Sequence, residues 1–134
     1  MPEPRMRGRR LVVMLAAVLA VVLAVAPTGQ TASATSVGWV YISAPTWLGN
    51  CPRGGSVKYL NVSNWGPSVI SYAADFGDDI VYLKVALGEG NTVVVAPTCY
   101  SGTNSWPGAS SMHTIRPTRT KQTFWLGPYG QRHN

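Results

Sequence analysis

The sequence contains few of the side chains that enzymes use for chemistry. It has two histidines, two cysteines and five acidic residues among 134 residues, and charged residues make up only 12% of it. It has no G-x-S-x-G nucleophile elbow, and its cysteines are not spaced as the C-x-x-C of a redox site. Two cysteines without histidines at ligand spacing also do not form a zinc site. The sequence therefore names no reaction, and we predict neither a catalytic residue nor a cofactor.

The first 34 residues have the three parts of a secretory signal peptide. A basic segment comes first and contains Arg5, Arg7, Arg9 and Arg10. The apolar run 11–26 follows, and then the small-residue cleavage site Ala32-Ser33-Ala34. The run of 16 residues is shorter than the roughly 20 of a spanning helix, which favours a cleaved signal over a retained anchor. We predict cleavage after Ala34, by the general secretory or the twin-arginine route.

Residues 35–134 would then form a single secreted domain. Before cleavage, the precursor would contact the membrane only through its signal segment. Both cysteines lie in this part of the chain. An even number of cysteines in an oxidising compartment predicts a disulfide, here between Cys51 and Cys99. In the chain-entropy model this bond closes a loop of about 49 residues and stabilises the fold by on the order of 4 kcal/mol.

The predicted secreted domain has the composition of an all-β protein. It is rich in Val, Trp, Tyr and Thr, glycine or proline interrupts it roughly every eight to twelve residues, and no segment has a helical period. We predict a small antiparallel β-sandwich of about six to eight strands, immunoglobulin-like in general architecture. A true immunoglobulin domain is not expected, because Cys51 lies in a Gly/Pro-rich loop and the tyrosine-corner position holds Pro97.

The segment 79–87 has the clearest strand alternation in the sequence. Its alternate apolar residues are predicted to face the core, namely Val81, Leu83, Val85 and Leu87. The sequence Gly-Glu-Gly-Asn at 88–91 suits a tight turn, so we predict a hairpin in which 92–96 is the partner strand. At the other extreme, residues 131–134 are predicted to be frayed.

Tryptophan is the strongest indication of function, since the chain contains five. Trp39 and Trp125 fall in predicted strands, where core packing is the simplest role. Trp47, Trp65 and Trp106 fall in loops rich in Gly, Pro or Asn, where they could bind a ligand or cover the open ends of the sandwich. We predict a non-enzymatic extracellular module that binds a polysaccharide or a protein, and an inhibitor of a protease or glycosidase belongs to this class. The three loop tryptophans should then be exposed on one end or face.

A second hypothesis depends on the charge of the predicted secreted domain. This domain has seven basic and four acidic side chains, a net charge of +3, with no acidic residue after position 110. Arg116, Arg119 and Lys121 would form a basic edge, which either keeps a strand edge soluble or binds an anionic surface of the cell envelope, as in an antimicrobial protein. So few basic residues do not indicate binding to nucleic acid.

The acidic segment 75–79 gives the remaining candidate site. Asp75, Asp78 and Asp79 could bind Ca²⁺ through oxygen ligands, but their spacing matches no EF-hand loop. A turn in which aspartates accept hydrogen bonds from backbone N–H groups is the simpler interpretation, and no metal is predicted. A small hydrolase, the least supported function, would need one of these carboxylates close to His113.

Overall fold

The computed structural model describes residues 34–133, so the predicted signal segment lies outside the described residues apart from Ala34. The described chain forms two β-sheets with a shared core, and its only helical segment is the 3-10 turn Thr46–Leu48. The strands are β1 (Val37–Ser43), β2 (Ser56–Trp65), β3 (Ile70–Phe76), β4 (Ile80–Ala86), β5 (Asn91–Ser101), β6 (Asn104–Pro107), β7 (Ser111–Ile115), β8 (Thr123–Gly127) and β9 (Gly130–His133). No helix between residues 34 and 133 is long and apolar enough to span a membrane.

The predicted all-β sandwich is confirmed, with nine strands instead of six to eight. The first sheet has the strand order β4-β1-β8-β9, and the second has the order β3-β2-β5-β6 with β7 also paired to β5. The pairs among the described strands are antiparallel except for β1 with β8, which is parallel. Part of the excess comes from two short strands: β6, which contains Trp106 and was predicted as a loop, and β9, which lies in the predicted frayed end.

Alternating apolar residues from both sheets form the core between them. Val81, Leu83 and Val85 are buried as predicted, and the outward residues Tyr82 and Lys84 between them are exposed. The predicted disulfide is confirmed, and it joins the end of β5 in the second sheet to the loop between β1 and β2. Its two Cα atoms are 5.9 Å apart, and both cysteines are buried in the core.

The predicted hairpin between 79–87 and 92–96 is wrong. β4 pairs with β1 in the first sheet, whereas β5 pairs with β2 in the second, so the turn between them crosses from one sheet to the other. The buried side chain of Asn91 replaces the missing hairpin bonds. Its Oδ1 accepts from the N–H of Ala86, and its Nδ2 donates to the carbonyl oxygens of Ala86 and Glu89. Alternation identifies a half-buried strand but not its partner, which explains the error.

Two further predictions are corrected by the strand faces and pairs. Trp39 is not in the core, because Gly38 and Val40 occupy the inward positions of β1 and the indole is exposed on the outer face. Trp125 is half-buried on the same outer face of the first sheet. Residues 131–133 are not frayed, because β9 pairs with β8, with Trp125 opposite Arg132.

Candidate functional site

The structure does not bring the three loop tryptophans together. Trp106 lies opposite Cys99, which also pairs with Val57 near the start of β2. Trp65 is the last residue of β2 and therefore lies about 25 Å along that strand from the level of Trp106. The expectation that all three tryptophans share one end or face is therefore wrong.

Trp106 has the geometry of a cover over the disulfide end of the core. It is half-buried and packs against the core cluster that contains both cysteines. Gly55 lies directly against the ring, since a Cβ at that position would lie 3.1 Å from the indole. The guanidinium of Arg53 lies over the ring, 5.8 Å from its centroid. This tryptophan fits the capping interpretation better than the binding one.

Trp47 and the acidic segment meet in one cleft at the same end of the sandwich. The cleft has a volume of about 350 Å³, and we call it the Trp47 cleft. Its lining residues are Pro45, Thr46, Trp47, Ser56, Val57, Gly77, Asp78 and Asp79. Small-molecule sites usually range over roughly 300–1,000 Å³, so this volume suits a small ligand. Because Trp47 is 58% exposed, its indole is accessible from solvent.

Strand pairing in the first sheet creates this cleft. Trp47 follows the end of β1, and Asp79 directly precedes the start of β4. Since Ser43 pairs with Ile80, the two flanking loops leave the sheet side by side. The N–H of Ala44 donates to the carbonyl oxygen of Asp79 at 2.8 Å and fixes this junction. Residues far apart in sequence thus line one cavity.

The loop that carries Trp47 is held firmly on the end of the first sheet. The 3-10 turn ends at Gly49, whose left-handed conformation (φ 84°) favours glycine. The buried side chain of Asn50 donates to the carbonyl oxygens of Pro45 and Leu126, at 2.9 and 3.0 Å. The guanidinium of Arg132 lies 5.0 Å from the centroid of the Trp47 ring, within cation–π range. The indole is therefore positioned before any ligand arrives.

The acidic side of the cleft is a turn that places two carboxylates next to each other. Gly77, at φ 85°, donates its N–H to the carbonyl oxygen of Lys58. Asp78 accepts a hydrogen bond at its Oδ1 from the N–H of Asp79, at 2.8 Å. Burial raises the pKa of Asp79 above its ordinary value of 3.8, and the neighbouring Asp78 raises it further. An ionised carboxylate in this position gains from new hydrogen-bond donors, which a ligand could supply.

The same region does not have the ligand set of a metal site. Within residues 34–133, no group of three or more His, Cys, Asp or Glu side chains is arranged to hold a metal ion. Asp75 lies on β3, outside the lining of the cleft, while Asp78 and Asp79 line it. The structure therefore gives no support to the Ca²⁺ hypothesis for these three aspartates.

The predicted basic edge lies at the opposite end of the sandwich, in the loop between β7 and β8. There the Nη1 of Arg116 donates to the carbonyl oxygen of Gly88 at 3.5 Å, and the N–H of Lys121 donates to that of Trp39 at 2.6 Å. Arg119 belongs to the same loop. Sequence reasoning missed that this basic loop adjoins an exposed tryptophan, because Trp39 had been assigned to the core.

The carboxylates and the histidine that a hydrolase would need are far apart. His113 pairs with Val93, which also pairs with Asn64, and the Nδ2 of Asn64 donates to the carbonyl oxygen of Lys84. His113 is therefore level with Lys84 along the sandwich. Asp79 lies about 17 Å from Lys84 along β4, well beyond the reach of a proton transfer.

The geometry of these surfaces is the basis for a functional interpretation. In comparisons with protein-family models, curated proteins and solved structures, this chain matched none.

Proposed function

We propose that this chain is a secreted, non-enzymatic carbohydrate-binding protein that holds a sugar unit of an extracellular glycan in the Trp47 cleft. The observation that carries this proposal is the position of an exposed, preorganised indole beside two adjacent carboxylates. An indole offers a flat apolar surface on which the C–H face of a sugar ring can stack. Carboxylates accept hydrogen bonds from sugar hydroxyls, and such charge-assisted bonds are roughly twice as strong as neutral ones.

The polar groups of the cleft also predict which sugars it accepts. Asp78 and Asp79 give its lining a negative charge, while Thr46 and Ser56 add uncharged hydroxyl groups. An acidic sugar would meet like-charge repulsion, so neutral and amino sugars are favoured. Arg132 lies over one face of the Trp47 ring, so a sugar would stack on the opposite face.

An extracellular location is the second part of the proposal. The disulfide is consistent with an oxidising compartment, and the first 34 residues have the pattern of a secretory signal. Expression of the full chain, followed by N-terminal analysis of protein from the medium, tests this part directly. The expected first residue is Thr35. Retention of the whole product inside the cell would contradict it.

The binding test uses exported protein and short soluble oligosaccharides, so that avidity does not contribute. Neutral, amino and acidic sugars are titrated by calorimetry into the wild type and into the variants Trp47→Ala and Asp79→Asn. We expect the best neutral or amino sugar to lose at least 10-fold in affinity with either variant. Trp65→Ala is the matched control, because Trp65 is 62% exposed but lies about 25 Å away. Equal losses in Trp47→Ala and Trp65→Ala, or no binding of any sugar, would refute the proposal.

A second candidate function is binding to an anionic envelope surface. The observation that favours it is the exposed Trp39. This residue pairs with Lys84 on the neighbouring strand, and its carbonyl oxygen accepts a hydrogen bond from the backbone N–H of Lys121. This surface would bind anionic vesicles, and its affinity would fall with salt because the charges are exposed. The double variant Lys84→Gln/Lys121→Gln should remove the salt-dependent part. Absent or salt-insensitive binding would exclude this candidate.

A further inference from the structure

The outer face of the second sheet carries exposed apolar residues and no charge over most of its area. From Tyr59 to Trp65 on β2, and along β3, β5 and β7, the outward positions hold only apolar or uncharged polar residues. Lys58, in the β-bulge of β2, lies at the rim. We call this surface the apolar face. Its most exposed members are 62–81% accessible and comprise Trp65, Ile70, Tyr72, Phe76 and Met112.

Strand register makes these residues one continuous patch. Ser63 pairs with Tyr72 on one side and with Val94 on the other, and Val94 pairs with Met112. This row crosses four strands, a width of about 14 Å. Trp65 pairs with Ile70 in the adjacent outward row, so that the large side chains adjoin one another.

The patch is larger than a monomer usually exposes. Its three most exposed aromatic residues alone present on the order of 400 Å². Ile70 and Met112 extend it beyond the roughly 300–600 Å² of the largest patch on a typical monomer. A standard protein interface buries about 800 Å² per partner, which is close to what this face can offer.

We propose that the apolar face is the interface of a homodimer in which the second sheets of two copies pack face to face. A two-fold arrangement places each surface against an identical one, so a face without charge meets no like-charge repulsion. The outer face of the first sheet differs, because it carries Lys84 and Arg132 and would oppose cation to cation. Two extended sheets also have matching shapes, and stacked sheets pack about 10 Å apart with interdigitated side chains.

Such a dimer would leave the first sheet of each copy away from the interface. Each Trp47 cleft would lie beside one edge of the interface, because its lining residue Gly77 directly follows Phe76. If the proposed function holds, two clefts per particle would raise the affinity for a polymeric glycan through avidity. The dimer itself does not depend on that function. A failure of sugar binding therefore leaves the interface proposal intact, and the reverse is also true.

The test measures the mass of the exported protein by sedimentation equilibrium over a wide concentration range. The wild type should have twice the monomer mass. The double variant Ile70→Lys/Met112→Lys should be monomeric, with its dissociation constant raised at least 100-fold. The matched control is Val37→Lys, which places the same charge at an exposed apolar position on the first sheet and should remain dimeric. A monomeric wild type, or a double variant that still dimerises, would overturn the proposal.

A second measurement needs no variant and so avoids any question of folding. Met112 is oxidised by dilute hydrogen peroxide in the wild-type protein at low and high protein concentration. Protection of Met112 should increase with concentration as the dimer forms. A rate independent of concentration would contradict the proposal. Wild-type protein that is monomeric but binds uncharged lipid vesicles through this face would also overturn it and assign the face to a membrane.

Discussion

On the outer face of the first sheet, aromatic rings lie against one another and next to cations. Trp39 stacks on Tyr82 with centroids 5.3 Å apart, Tyr82 contacts Tyr41 at 5.0 Å, and Lys84 lies opposite Trp39. On the outer face of the second sheet, Tyr72 and Trp65 are mostly exposed, and no charge lies between them. Similar aromatic content therefore produces two different surfaces. The first is a solvated face on which rings adjoin cations. The second also has a ring contact, between Tyr59 and Phe76, but its rings lie among uncharged residues.

Both faces cover one core that contains the disulfide, and removal of this bond should have the largest effect on stability. Cys51→Ser/Cys99→Ser frees a closed loop that links the two sheets. We expect a loss of about 2–5 kcal/mol in the free energy of unfolding. Urea denaturation of the purified, oxidised protein measures this loss. A loss below about 1 kcal/mol would mean that the core does not depend on this bond.

A somewhat smaller effect is expected where the chain crosses from the first sheet to the second. Asn91→Ala removes a side chain that forms hydrogen bonds with the backbone N–H and carbonyl oxygen of Ala86. The Oδ1 of this side chain also accepts a hydrogen bond from the Nδ2 of Asn64 at 3.0 Å. Each buried polar group left unpaired costs about 1–3 kcal/mol, so we expect a total loss of about 2–4 kcal/mol by urea denaturation. Asn104→Ala, at an exposed position in β6, is the control and should change little.

The aromatic rings of the two faces should differ in their contribution to monomer stability. Tyr82→Ala removes two ring contacts on the first sheet and should cost about 1–2 kcal/mol in the free energy of unfolding. Tyr72→Ala removes a mostly exposed ring on the second sheet and should cost less than about 1 kcal/mol. Both variants are compared by urea denaturation at low protein concentration, where any dimer is dissociated. The opposite order would remove the contrast between the faces.

The smallest expected effect is a difference between the two sheets in how the free energy of unfolding depends on pH. Burial lowers the pKa of His113, on the second sheet, below its ordinary value of 6.5. The unfolded chain therefore takes up the proton first, and stability present above pH 6.5 is lost as the pH falls through the folded pKa. His113→Gln should abolish that loss when unfolding is measured between pH 5 and 8. An unchanged pH profile in the variant would contradict this assignment.

Asp79, at the entry to the first sheet, should show the opposite dependence. Its pKa is raised by burial and by Asp78, so its contribution to stability is greatest below its ordinary value of 3.8 and falls as the pH rises through the folded pKa. Asp79→Asn should flatten the unfolding profile in this acidic range. A profile identical to that of the wild type would show that the carboxylate is solvated like an ordinary aspartate.

Much of the architecture could be predicted from the sequence because its signals are local. Alternation in 79–87 placed Val81 and Leu83 in the core, and the predicted signal peptide favoured a disulfide between Cys51 and Cys99. Local patterns carry no information on which strand lies beside which, so the hairpin prediction failed. Both faces of β1 carry apolar residues, so hydrophobicity alone could not decide which side of the strand Trp39 occupies.

The candidate site was only half predictable for the same reason. Trp47 and the aspartates were each identified, but as separate candidates with different roles. Their meeting depends on the pairing of Ser43 with Ile80, a contact between distant parts of the chain. A prediction that β4 pairs with β1 would have placed Trp47 and Asp79 side by side. The predicted hairpin paired β4 with β5 instead, so it gave no reason to expect the cleft.

The central claim is that the Trp47 cleft binds a sugar, and NMR titration of the purified protein tests it most directly. On addition of a neutral or amino oligosaccharide, we predict that the largest shifts occur at the Trp47 indole N–H and at the backbone amides of Asp78 and Asp79. The indole signal of Trp65 should remain in place. Shifts confined to Trp39 and Lys121, or none at any sugar concentration, would contradict the claim.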